Sequence, residues 1–194
     1  LDQHARYPLR CVSPTPVAKA EERLALVAPM LRGLLATKTA NPDRPWRRVV
    51  LRSLVSRGVL EFLGSGRGRE LAVSPPFTSD HLIRTGVLPA WVDDPDYDDE
   101  DKLRAQLEEV LRRYAKDYRA YLHRNAARMP AGMEPFSPLP RVVLMPGLGA
   151  VCAGFDAKAA TIAHDITAQT LAAKARIATM GAAYEGLAEE HLFD

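Results

Sequence analysis

Cysteine is scarce in this 194-residue chain, occurring only at Cys11 and Cys152. Two thiols are too few for a disulfide framework and fit a reducing compartment, so the expected location is the cytoplasm. A surplus of one charge is missing as well: 26 Lys and Arg face 24 Asp and Glu, a net +2. That balance argues against a nucleic-acid partner, which would call for a concentrated basic surface. Long apolar runs are also absent. The richest, Leu24 to Leu35, is interrupted by Pro29, Arg32 and Gly33, short of the roughly 20 residues that span a bilayer, and no membrane partner is expected. The five histidines, His4, His81, His123, His164 and His191, form no HxH, HxxxH or HExxH pair, so a transition-metal site has no local nucleus. The chain opens at Leu1 with no charged segment leading into an apolar one, and it reads as a piece of something longer.

What is present is 47% hydrophobic content, enough to build a core. Residues 1–16 hold three prolines and no period, which reads as an irregular arm. Leu24, Val27, Met30, Leu31, Leu34 and Leu35 then recur at helical spacing, predicting a helix from Val17 to about Thr37 that Pro29 bends. A short strand is expected over Arg48 to Leu51, and a helix over Ser53 to Leu63 stopped by the glycines of GSGRG. The stretch SPPFTSDHLIRTGVLPAWVDD reads as a loop leading to a strand near His81 to Thr85 and extended chain up to Val92.

Seven acids crowd the nine residues Asp93 to Asp101. They lack the central glycine and terminal glutamate of a calcium loop. Leu103, Leu107, Val110, Leu111, Tyr114, Tyr118, Tyr121 and Leu122 follow at helical spacing, so the acids complement the positive end of a long amphipathic helix.

The segment Pro140 to Ile177 carries the most information. Gly147, Gly149 and Gly154 are spaced wrongly for a dinucleotide fingerprint, the last gap being five residues instead of three. AVCA fits a second strand, and Asp156 stands where a helix N-cap belongs, giving a β-hairpin followed by a helix. Cys152, inside that strand, reads as a buried and inert thiol. In DHLIRT, the imidazole of His81, the guanidinium of Arg84 and the hydroxyl of Thr85 fall within one turn or strand. Such a trio can hold a phosphate or a carboxylate, or serve as a local hydrogen-bonded brace.

VVLMPGLGAVCAGFDAKAATIAHDI resembles the C-terminal hairpin and helix of the class II aldolase/adducin family: an apolar strand, HG, a second strand, a glycine and an alanine-containing helix. In that family the histidine of the turn ligates a divalent metal, usually zinc, which polarises the substrate carbonyl. Leu148 stands at that position here. GVLEFLGS, SDHLIRTGVLPAWVD, the tyrosine-rich helix, PRVVLMPGLGAVCAG and EGLAEEHLFD together are similar to the middle of bifunctional aldolase/short-chain dehydrogenases of the rhamnulose-1-phosphate aldolase/alcohol dehydrogenase type. The family's paired HxH ligands, its acid/base glutamate and the Tyr-x-x-x-Lys pair of the dehydrogenase have no counterpart.

The resemblance implies an α/β fold, a small mostly antiparallel sheet flanked by helices in a three-layer, class II aldolase-like arrangement. The expected division is an arm at 1–16, a domain at 17–180 lacking metal ligands, and at 181–194 the start of a linker toward a dehydrogenase domain. The function expected is a non-catalytic connecting and scaffolding domain in a homo-oligomer, with flanking aldolase and dehydrogenase domains as partners. No cofactor is expected in this chain, zinc and NAD belonging to those flanking domains. One rival is a metal-dependent class II aldolase whose site a partner subunit or a missing domain completes; another is a nucleotide-binding module using the glycine turn.

Overall fold

The computed structural model describes residues 9, 11, 13–129, 132 and 134–192; most of the expected N-terminal arm lies outside them. Six helices are present among the described residues: α1 (Val17–Leu34), α2 (Arg57–Leu63), α3 (Gly68–Ala72), α4 (Ser79–Thr85), α5 (Glu100–Arg124) and α6 (Ala157–Thr179). They flank a sheet ordered β3 (Val50–Leu54), β6 (Gly149–Gly154), β5 (Val142–Met145), β4 (Ala90–Trp91), while β1 (Thr37–Lys38) and β2 (Trp46–Arg47) form a separate ribbon. Only the β4–β5 pairing is parallel; β3–β6 and β5–β6 are antiparallel. The expected α/β class and mostly antiparallel sheet are therefore realised.

The sheet's alternation sorts the core into two halves. Val143, Met145, Val151 and Ala153 pack with Val27, Met30, Leu31, Leu103 and Leu107 from α1 and α5. Val142, Leu144, Ala150 and Cys152 face Phe62, Leu63, Leu71, Ala163 and Leu171 from α2, α3 and α6. Successive strand residues point to opposite faces, so VVLM and GAVCAG, covered on both sides, read as continuous apolar runs.

Helix ends follow the caps that the sequence provides. Asp99 accepts from the Lys102 amide at 3.0 Å to open α5, and Asp156 accepts from the Ala159 amide at 2.7 Å to open α6. Two more acids of the run are engaged: Asp96 pairs with Lys102 at 2.8 Å, and Asp93 takes both the Trp91 indole N–H at 2.9 Å and Arg69 at 3.0 Å. Helix α1 continues through Pro29, whose ring sits on the exposed side where water can serve the carbonyl that proline leaves unpaired.

Three elements differ from the sequence expectation. His81 to Thr85 is helix, not strand, because the Thr78 hydroxyl caps it by accepting from the His81 amide and Gly86, at φ 87°, ends it. The strand expected over Arg48 to Leu51 is shifted: Val50–Leu54 pairs with β6, while Trp46–Arg47 joins the β1–β2 ribbon. Helix α2 begins at Arg57 instead of Ser53, since Ser53 and Leu54 are register partners of Val151 and Ala150 in the sheet. The segment expected to begin a linker folds back onto the domain: Tyr184 donates to the Pro75 carbonyl at 2.5 Å, the Leu187 amide to Pro76 at 3.4 Å, and Glu189 pairs with Arg124 at 2.9 Å.

Gly149 combines a φ of 112° with a Leu54 carbonyl oxygen only 2.5 Å from where a Cβ would stand. Gly149→Ala should therefore cost at least ~2 kcal/mol of stability. Asp156→Ala, losing only a cap, should cost about 1 kcal/mol. Urea denaturation of both variants checks the size of each loss and their order.

Candidate functional site

The turn between β5 and β6 is where the resemblance places a metal ligand; Pro146 and Gly147 border an open cleft of about 450 Å³ that Asp94, Asp96 and Asp98 also line. Leu148 is fully buried and belongs to the core half beneath α1 and α5. Arg23 from α1 donates to the Gly147 carbonyl at 2.9 Å while stacking 4.2 Å above the Tyr97 ring, and the Tyr97 hydroxyl donates to the Pro146 carbonyl at 2.7 Å. Burial drives the Tyr97 phenol above its ordinary pKa, so it stays a donor. Gly147, at φ 76°, lets the Arg23 guanidinium approach where a Cβ would clash at 2.5 Å. The residues present do not fit the divalent ion that the resemblance implies: Leu148 offers no donor atom, and no group of three His, Cys, Asp or Glu side chains able to hold an ion occurs among the described residues.

His81, Arg84 and Thr85 all lie on α4 but engage different partners. The Thr85 hydroxyl donates to the His81 carbonyl at 2.8 Å, a bond internal to the helix. His81 lies edge-on to Phe77 with ring centroids 6.3 Å apart, and its Nδ1 is buried without a partner. Arg84 is exposed and lines a cavity of about 220 Å³ at the opposite end of the hairpin from Leu148. Helical spacing sets the three on one face of α4, as i, i+3 and i+4, so it is their partners that separate them: Phe77 for His81, the cavity for Arg84 and the helix's own backbone for Thr85.

That cavity contains a second guanidinium which the sequence did not suggest. Arg141, at the entry to β5, is half-buried, donates through Nη1 to the carbonyls of Ile83 and Arg84, and lies 5.1 Å from the Phe136 ring centroid. Burial holds its guanidinium below the usual pKa, and repulsion from Arg84 acts in the same direction. Thr37 and Ser137 contribute hydroxyls, whereas no carboxylate lines the cavity. The signal available in sequence was weak: Arg141 directly follows a proline-rich link and precedes an apolar run, which by itself says nothing of Arg84 57 residues earlier.

Residues 22–194 match the family described as "Aldolase class II, second domain". The chain belongs to this family. It is also 28% identical over 155 residues to the "Uncharacterized oxidoreductase YuxG" of Bacillus subtilis (strain 168), an alignment covering 79% of this chain and 21% of that protein. The chain therefore spans about a fifth of the length of that relative. No solved structure matches it. Among the described residues of this aldolase second domain, no helix is long and apolar enough to cross a membrane.

The second domain also buries a cation. Lys174 of α6 is 2% exposed, donates to the Ser74 carbonyl at 2.9 Å and the Ala72 carbonyl at 3.4 Å, and lies 4.9 Å from the Tyr184 ring centroid. Thr85, Thr167 and Thr170 share a cavity of about 40 Å³ with it. Cys152, close by, donates to the Thr167 hydroxyl at 3.6 Å, and burial pushes its thiol up to about 11. A thiol that stays protonated near neutral pH is a poor nucleophile, as its place in the strand led one to expect.

Burial lowers Lys174 from 10.5 to about 8. Between those values the unfolded chain binds more protons than the folded one, so stability from this group rises as pH climbs through the window and is lost below it. Relative to Lys174→Met, the native chain should gain up to about 3 kcal/mol between pH 8 and 10.5. Urea titrations of both proteins across that range test this, and parallel stability curves would show a hydrated ammonium instead.

Proposed function

We propose that this chain is a non-catalytic connecting and scaffolding domain, a degenerate aldolase-like unit within a cytoplasmic, homo-oligomeric, bifunctional sugar-phosphate aldolase/short-chain dehydrogenase. The observation that carries the reading is Leu148: an aliphatic side chain fully buried where a metal-ligating histidine would stand, beneath a turn whose Pro146 and Gly147 carbonyls are taken by Tyr97 and Arg23. Conversion of that turn to a metal site would require both a new ligand and removal of the packing beneath it. A relative named as an oxidoreductase, nearly five times longer than the aligned stretch, supports a place inside a larger protein. In such a protein, zinc and NAD chemistry would belong to the flanking aldolase and dehydrogenase domains. The packing of residues 184–189 onto α5 and the loop before α4 would hold the exit of the domain in a defined position.

The alternative, a class II aldolase whose ligands come from a partner subunit, would need an ion at or near this turn. Purified protein incubated with zinc, dialysed and assayed for metal should retain far less than one ion per chain. Stoichiometric zinc together with retro-aldol cleavage of a ketose phosphate that a chelator abolishes would overturn the scaffolding reading in favour of the alternative.

A further inference from the structure

We propose that the cavity shared by Arg84 and Arg141 is an oxyanion site for a small metabolite carrying a phosphate or carboxylate. Two arginines from separate elements, Arg84 at the end of α4 and Arg141 at the start of β5, line it together, and the Arg141 guanidinium donates to the Arg84 backbone carbonyl. Neither has a carboxylate partner among the described residues, whereas Arg57, Arg67, Arg69, Arg112 and Arg124 each hold an Asp or Glu. Like charges brought together without a counterion are costly unless an anion joins them.

The geometry supports an anion of defined kind. Arg141 is preset by its bonds to the carbonyls of Ile83 and Arg84 and by Phe136 beside it, while its Nε and Nη2 donate to none of the described residues. A planar guanidinium with a free edge suits the paired oxygens of a carboxylate or phosphate. Ser137 and Thr37 add hydroxyls, and Leu35, Val49, Leu139, Pro140 and Phe155 supply an apolar wall. A volume of about 220 Å³ lies under the ~300 Å³ at which pockets for drug-sized ligands begin, so the ligand is small. At the start of α6 the Asp156 carboxylate already accepts from the Ala159 amide. The anion is held by the guanidiniums.

The site requires no metal and stands apart from the Leu148 argument; zinc content and anion binding are read in separate experiments. The test is titration of the 194-residue chain with inorganic phosphate, glycerol 3-phosphate and glycerate, following the Arg141 Nε–Hε resonance by NMR. Saturable displacement of that resonance by at least one of the three is expected. Arg84→Gln, an exposed change that leaves the backbone carbonyl bonded by Arg141 in place, should weaken binding about tenfold or more with an unchanged Tm. Preference for glycerol 3-phosphate over glycerate assigns a phosphomonoester, and the reverse assigns a carboxylate. No saturable displacement, an equal displacement by sodium chloride at matched ionic strength, or full affinity in a folded Arg84→Gln would overturn the proposal. Should Arg84→Gln fail to fold, Ser137→Ala serves in its place with the same resonance as readout, and unchanged affinity there would likewise overturn it.

Discussion

The β5–β6 hairpin, buried on both faces, is the constraint on which the rest of the domain depends. Each strand residue must be apolar whichever way it points, and each covering helix must present an apolar stripe. One face takes α1 and α5, the other α2, α3 and α6. The hairpin can close so tightly only because Gly147 and Gly149 adopt positive φ while other groups press against them: the Arg23 guanidinium on the first and the Leu54 carbonyl on the second. Those contacts connect the turn to α1 and to the edge strand β3, so local backbone geometry and tertiary packing meet at the same few atoms.

This arrangement bears directly on chemistry. A metal site at this turn would need room for an ion and a ligand aimed at it; here Leu148 extends the core beneath the turn, and Arg23 and Tyr97 occupy its carbonyls from outside. A core residue at position 148 strengthens packing where a metal site would need polar second contacts. Polar chemistry instead collects at the other end of the hairpin, where Arg84 and Arg141 meet, and beneath the C-terminal segment, where Lys174 relies on backbone carbonyls and an aromatic face.

Much of this was legible from residue patterns. The long helix after the acidic run, the hairpin with its glycine turn, the Asp156 cap and the buried Cys152 each depend on interactions within a few residues or on the simple periodicity of burial. The acidic cluster reads as capping and local pairing for the same reason. The failures share a different cause. DHLIRT mixes polar and apolar residues too briefly to separate a strand from a two-turn helix, and the Thr78 cap with the Gly86 stop decided it. Ser53 and Leu54 suit a helix as well as a strand, and their pairing with β6, nearly 100 residues onward, took them into the sheet.

The sequence by itself determined the class of fold, the hairpin and the absence of a donor atom in the side chain at position 148, since a leucine has none whatever surrounds it. Only the tertiary structure decided which polar groups meet. It gave His81, Arg84 and Thr85 separate partners, brought Arg141 to Arg84 and enclosed Lys174 beneath Tyr184. Neighbours distant in the chain are set by how layers pack against the sheet, and no local pattern of residues encodes that distance.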